Sequence, residues 1–535
     1  MNFTLPSGSS SLASLVTRAV INVELNDIDV DRLMTRLFEM AVKRGRAASS
    51  KADPGGFERH LSALHSHAKL RGFEGERGRE VLDGWLRTSV LTFERGGLRR
   101  DRAQMGYLRP LTLATYRSGL PKTVSRNRTA DSLIYRSMVS CLVEQGQANS
   151  TKAIEQLFVD TFGEGVDVGV SPWPTPKYDE VTRVDIDRLL QLRFLETFEG
   201  SANLGKEWSL VTAPIPWIER LVGRDVITFL QHYGPTTPAL EANAHLSALI
   251  ALRLFQLPLL SARSVRSLLT TPENVGPQSL ETYIDFTRER GSASDKLSAQ
   301  AVVRDLELLR TFFGDRVLLH AVAQILPMAK SLPDDLPADQ MLRQSAAALK
   351  DDDVNMLLRS QLMVIKMQLD TPEDQAVITE ALATWGADGA AATRDVLVAA
   401  LAKRGLENQV KWFHNTGGIQ KDYGLLSGTL RARSTWRYSL SDDALTAVLM
   451  MCFIDEDGKS VIARLPIREL LRRLELRFGL LVERPPAAAD SADARSGAAE
   501  NLAAFTRRLQ LLGCFEGLSD DFAAQYVSNP GRARR

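Results

Sequence analysis

Glu407, Lys411 and His414 stand at i, i+4 and i+7 of one helical stretch. That spacing puts an acid, an amine and an imidazole on one helix face. Such a set can move protons; it can equally be an ordinary Glu–Lys helix pair with a histidine nearby. His60, His65 and His67 crowd another short stretch. Their offsets miss the i, i+4 pairing that places two imidazoles on one metal, so they read as surface or partner-facing histidines. Asp457-Gly458-Lys459-Ser460 ends like a phosphate-binding loop, but Phe453 stands where that loop needs its first glycine, so it reads as a plain turn. No dinucleotide-binding glycine pattern and no His-Glu-x-x-His appear. No catalytic constellation, metal site or cofactor is assigned from these residues.

The stronger signal is cationic. Residues 1–140 hold 23 Lys/Arg against 14 Asp/Glu. Between Arg95 and Arg136 ten basic residues face only Asp101 and Asp131, with Tyr107, Tyr116 and Tyr135 interleaved. Arginines neutralise phosphates and rings stack on bases, as a nucleic-acid groove requires. A second cluster is Lys421, Arg431, Arg433 and Arg437, with Trp436 and Tyr438. The candidate DNA contacts are therefore Arg99, Arg100, Arg102, Arg126, Arg128, Arg431, Arg433, Arg507 and Arg508. The opposing reading is ion pairing within the chain or with a partner, since 66 basic residues meet 65 acidic ones overall.

The elements that must position these residues read as mainly α. The 535 residues, 44% hydrophobic and 24% charged, allow several domains of ordinary globular composition. Helical periodicity predicts helices over 28–44, 185–198, 240–256, 299–313 and 317–330, the first capped by Asp27 or Asp29. Pro-rich breaks at 171–176 and 332–337, and glycines at 417, 418, 424 and 428, mark boundaries. The expected organisation is a helical domain over 1–170, a central helical domain over 177–330, an acidic helical segment over 338–415 and a compact module over 436–530. Three separated cysteines, a polar Met1–Ser11 without a signal-peptide pattern and no apolar run near 18 residues lead us to expect a cytoplasmic protein with no membrane partner.

The last hundred residues predict a definite order. Ser441 caps a helix through Cys452, residues 460–465 form a strand, and Pro466 opens a helix that stops at Gly479. Pro485 to Gly497 reads as a loop, followed by a helix over 499–512 and a hairpin pairing 514–516 with 523–527. Helix, strand, helix, helix, hairpin is the order of a winged-helix-like α+β module, whose third helix would carry Arg507 and Arg508. Such modules dock proteins as well as DNA.

Several strings are distinctive: Trp412-Phe413-His414-Asn415, Gly424-Leu425-Leu426-Ser427-Gly428, Trp436-Arg437-Tyr438-Ser439, and Arg464 through Leu471 with Phe478-Gly479. Leu518 to Asp521 and Gln525-Tyr526-Val527 complete the set. Together they resemble a non-catalytic component of a bacterial methylation-associated anti-phage defence system, over roughly residues 412–527. The resemblance implies cytoplasm, phage DNA as the ultimate target, and operon partners that include an ATPase, a kinase-like protein and a methyltransferase. It brings no active-site residues with it. The expected function is a non-enzymatic subunit that binds DNA, docks those partners, or both. The alternatives are an effector nuclease with an unrecognised site and a winged-helix regulator of its own operon.

Overall fold

A computed structural model describes residues 3–6, 12–45, 56–68, 70–87, 91–95, 103–108, 128–163, 166–167, 177–178, 190, 193, 212–271, 276–330, 332–333, 336–515 and 525–531. The chain is mainly α and multidomain. The N-terminal part contains α1 (Val30–Val42), α2 (Gly56–His65), α3 (Gly75–Trp85), the antiparallel pair β1 (Leu91–Arg95) and β2 (Ala103–Leu108), then α4 (Ala130–Glu144) and α5 (Ser150–Phe162). A two-residue antiparallel pair, β3 (Val166–Asp167) with β4 (Lys177–Tyr178), follows. Asp29 does cap α1, accepting from the Asp31 N–H at 3.1 Å. The predicted helix over 185–198 lies almost wholly outside the described residues.

Next come α6 (Pro216–His232), α7 (Ala239–Thr270), β5 (Thr282–Tyr283) and α8 (Ala293–Lys330). Gly223 lets α6 cross α4 at close range: its N–H donates to Ser137 Oγ at 2.8 Å, and a Cβ there would stand 2.3 Å from the Ser137 carbonyl carbon.

α7 is longer than the periodicity suggests, because it runs through Pro258. A proline inside a helix leaves the carbonyl four residues earlier without its donor. Here that carbonyl belongs to Leu254, and the Trp412 indole N–H donates to it at 3.0 Å. The break is thus healed by a residue 158 positions away. By length and composition α7 is apolar enough to cross a membrane, a feature missed in the sequence; 94% of its most apolar window is buried inside the protein. α8 likewise joins two predicted helices, continuing through Gly314 for 38 residues, about 57 Å.

The acidic segment folds as α9 (Ala338–Ala348), α10 (Asp352–Met367), α11 (Pro372–Trp385) and α12 (Gly389–Thr416). Asp351 and Thr371 cap α10 and α11. The hairpin β6 (Leu426–Thr429) and β7 (Ala432–Tyr438) follows, antiparallel.

The C-terminal segment contains α13 (Asp442–Cys452), β8 (Arg464–Pro466), α14 (Ile467–Phe478), β9 (Leu480–Leu481), α15 (Ala492–Leu511) and β10 (Tyr526–Ser528). Ser441 caps α13, and Gly479 ends α14 at φ +65°, as the sequence predicts. β8 pairs with β10, and Phe515 bridges Val527. Residues 516–524, the turn of the expected hairpin, lie outside the described residues. Three details differ from expectation, the first being that the strand expected over 460–465 is Arg464–Pro466. α15 starts seven residues earlier than the predicted 499, because Ser491 accepts from the Ala494 N–H and caps it there. β9 pairs in parallel with β5, and buried Asn501 of α15 bonds to Ile284, Phe286 and Val482. The segment is thereby built into the main core.

Two cores result. The larger takes side chains from Val20 to Val527, and the smaller from Phe3 through the second half of α8 to α10, α11 and α12.

Candidate nucleic-acid interface

The C-terminal end of α12 holds Lys411, Trp412, Phe413 and His414. Trp412 and Phe413 are buried, with Phe413 stacked near Trp436 at 6.1 Å and 17°. This packing turns His414 toward a cavity of about 240 Å³. Its walls are α12, the loop carrying Gly418, Lys421 and Tyr423, the hairpin tip at Leu430, and Asp27 to Asp29 ahead of α1.

The structure does not assemble the predicted acid–base trio. Glu407 and Lys411 pair with each other at 3.5 Å on the exposed side. His414 faces the cavity, edge-on to Trp436 at 5.9 Å, with its buried Nδ1 lacking a hydrogen-bond partner. Burial holds its imidazole below the ordinary value, and the charges of Arg433 and Lys411 act in the same direction; a hydrogen bond with Asn415 opposes them. A neutral imidazole without a carboxylate bonded to it is not a prepared general base.

The fold instead brings two cationic segments to this cavity. Lys421 lines it and reaches Asp31 at 3.4 Å. Arg431 and Arg433 stand exposed at the tip of the β6–β7 hairpin, and neither has an ion pair among the described residues. On the opposite wall Arg128 grips the loop before α1: its Nε donates to the Asp27 carbonyl at 2.9 Å, and its guanidinium pairs with Glu24 at 3.2 Å and with the Asp27 carboxylate. Arg128 is therefore an anchor in this structure.

The other candidates fall in different places. Arg99, Arg100, Arg102 and Arg126 lie outside the described residues. Arg507 is exposed on α15, whereas Arg508 pairs with Asp442. Arg437 is held by Asp295 at 2.8 Å. Three of the five rings read as stacking platforms are core residues: Trp436, Tyr438 and Tyr135 are all buried, whereas Tyr116 and the side chain of Tyr107 lie outside what the structure describes. The Tyr438 hydroxyl donates to buried Asp305 at 2.8 Å. Alternation along β7 puts Trp436 and Tyr438 on its inward face, a period-two signal the sequence did contain. His60 is buried too, not surface-facing, and His65 bonds the Gly75 carbonyl at 2.9 Å. Among the described residues no three His, Cys, Asp or Glu side chains gather as a metal site. Asp27, Asp29 and Asn415 were missed as cavity residues; the only local signal was the helix-cap pattern around Asp29.

No curated protein and no solved structure matches this chain. Residues 11–530 match the family described as "Methylation-associated defense system protein MAD7". The match covers nearly the whole length, where the resemblance read from sequence was confined to the C-terminal part. With its helical body and cationic hairpin in view, the chain belongs to the methylation-associated defense system protein MAD7 family.

Proposed function

We propose that this defence-system protein is a non-enzymatic cytoplasmic subunit that holds DNA against the cationic face around the His414 cavity and docks partner proteins of the same system. The observation that carries the DNA reading is the pair Arg431 and Arg433: exposed, without an ion pair among the described residues, on a two-stranded hairpin with Lys421 and Lys411 close by. Unpaired arginines on a hairpin suit phosphate contacts, which bind without reading sequence. A winged-helix-like C-terminal segment would add Arg507 as a further contact.

Partner docking is supported by α10. Its outer face exposes Met356, Met363, Val364 and Met367, with Asp352 and Asp353 at one end and Asp370 just beyond the other. Flexible thioether surfaces suit protein recognition, and the acidic ends suit a basic segment on an ATPase, kinase or methyltransferase subunit.

The test is binding of the full chain to a labelled random-sequence duplex across a salt series, beside the double variant Arg431→Glu/Arg433→Glu. The expected result is steep salt dependence in the wild type, with a slope lower by about 2 in the variant. Equal affinity and slope for both proteins would remove the hairpin from the interface.

A further inference from the structure

A second cavity, sharing no lining residue with the His414 pocket, lies among α4, α6, α7, the segment before β5 and the end of α14. Its volume is about 440 Å³, within the range of small-molecule sites. It shares Arg224, Leu476 and Arg477 with a neighbouring lobe of about 380 Å³.

The charges around the first lobe do not balance. Arg220 is matched by Glu144 at 2.7 Å, and Glu475 by Arg484 at 2.5 Å. Arg253 and Arg477 share the single buried carboxylate of Asp225, at 2.7 and 2.9 Å. Arg224 is exposed, lines both cavities and has no ion pair among the described residues. Two positive charges, Arg224 and one of the shared pair, are left unanswered where the lobes meet.

Two buried donors are unanswered as well. Trp217 Nε1 and Arg477 Nε belong to lining residues, are shielded from solvent and have no acceptor. Buried N–H groups without acceptors are uncommon in folded proteins, and these two belong to the same cavity. The remaining wall is apolar, with Leu221, Leu260, Leu280 and Phe478, and Leu476 is a largely exposed leucine on the lip. The outer lobe is mixed: Asp455, Glu456 and Asp457 rim it beside Arg472 and Arg473, and Arg472 pairs with Glu456 at 2.9 Å, which leaves the two aspartates as acceptors for hydrogen-bond donors.

We propose that this double cavity binds a small organic phosphate of the nucleotide class. The phosphate sits between Arg224 and Arg477, taking the unanswered charges. The flat, largely apolar body lies along the leucine wall, with its amino-bearing edge toward the Asp455–Asp457 turn. Guanidinium groups suit phosphate oxygens because they offer several donors in one plane.

The experiment is isothermal titration of the full-length protein with AMP, ADP, GMP and inorganic pyrophosphate at low salt. It is repeated with Arg224→Glu, an exposed position whose variant is checked for unchanged circular dichroism, and with Trp217→Phe. The expected result is saturable one-site binding of at least one nucleotide, weakened roughly tenfold or more by Arg224→Glu and less by Trp217→Phe. No binding of any nucleotide, or nucleotide binding unaltered by Arg224→Glu, would overturn the site. Pyrophosphate bound as tightly as every nucleotide would overturn the role of the apolar wall. None of these outcomes depends on DNA binding at the hairpin.

Discussion

Replacing Trp412 by phenylalanine tests how α12 is fixed to the core. The indole N–H is the donor to the Leu254 carbonyl, which Pro258 deprives of its helical donor. Losing it leaves a buried acceptor unsatisfied, which costs about 1–3 kcal/mol; the smaller ring adds a packing loss. A double-mutant cycle separates the two effects. In a Pro258→Ala background the new N–H of residue 258 can serve Leu254, so the packing loss remains but the unsatisfied carbonyl does not. Trp412→Phe should then cost about 1 kcal/mol less than in the wild type. The assay is urea unfolding of all four proteins, followed by far-ultraviolet circular dichroism. If the two substitutions are additive within about 0.5 kcal/mol, the healed-break account of α7 is wrong.

Two further substitutions test buried charge. Burial pushes the Glu219 carboxyl up to about 7, against the opposing pull of the Arg136 charge and the Asn22 hydrogen bond. The folded state therefore keeps a proton that the unfolded chain releases, and stability falls as pH rises between about 4.3 and 7. Glu219→Gln should flatten that window in urea melts and raise stability above pH 7 by up to about 3 kcal/mol; an unchanged slope would refute the assignment. Arg253 and Arg477 hold the Asp225 carboxyl down at about 2 despite its burial. Asp225→Asn should cost about 3–5 kcal/mol at pH 7, because two guanidinium groups lose their shared counter-charge; a loss under about 1 kcal/mol would contradict that.

Local chemistry was legible where local chemistry decides. Asp29, Ser441 and Gly479 act at helix ends through their own backbone neighbours, and each does what its type predicts. The course of α7 was not legible, because Pro258 signals a break and the compensating donor is Trp412, far along the chain. The length of α8 was hidden by Gly314, where a Cβ would meet the Arg394 side chain at 2.6 Å. The candidate interface was half legible. Lys411 with His414, and Lys421 with Arg431 and Arg433, were read as separate clusters, and only the fold puts His414 and Lys421 in the wall of one cavity, with Arg433 and Lys411 near enough for their charges to act on the imidazole. Its acidic wall at Asp27 and Asp29 comes from the other end of the sequence, beyond the reach of spacing arguments. Trp436 and Tyr438 were misassigned because cationic neighbours suggested stacking, whereas alternation along β7 directs them inward.

The length of α8 has a mechanical consequence. Leu309, Phe312 and Leu319 belong to the larger core, and Phe313, Val317, Ala321 and Ile325 to the smaller, so the two interleave along the middle of the helix. The helix is thus a single rod gripped by both cores. Its first turns hold the β6–β7 hairpin through Asp295 to Arg437 and through Ser298, which accepts from the Tyr438 N–H at 2.7 Å. Its last turn is tied by Lys330 to Asp351, the cap of α10, at 2.6 Å. The rod thus links the methionine-faced end of the molecule to the arginine-tipped end, and Pro327, one turn before Lys330, is where its hydrogen-bond ladder is interrupted.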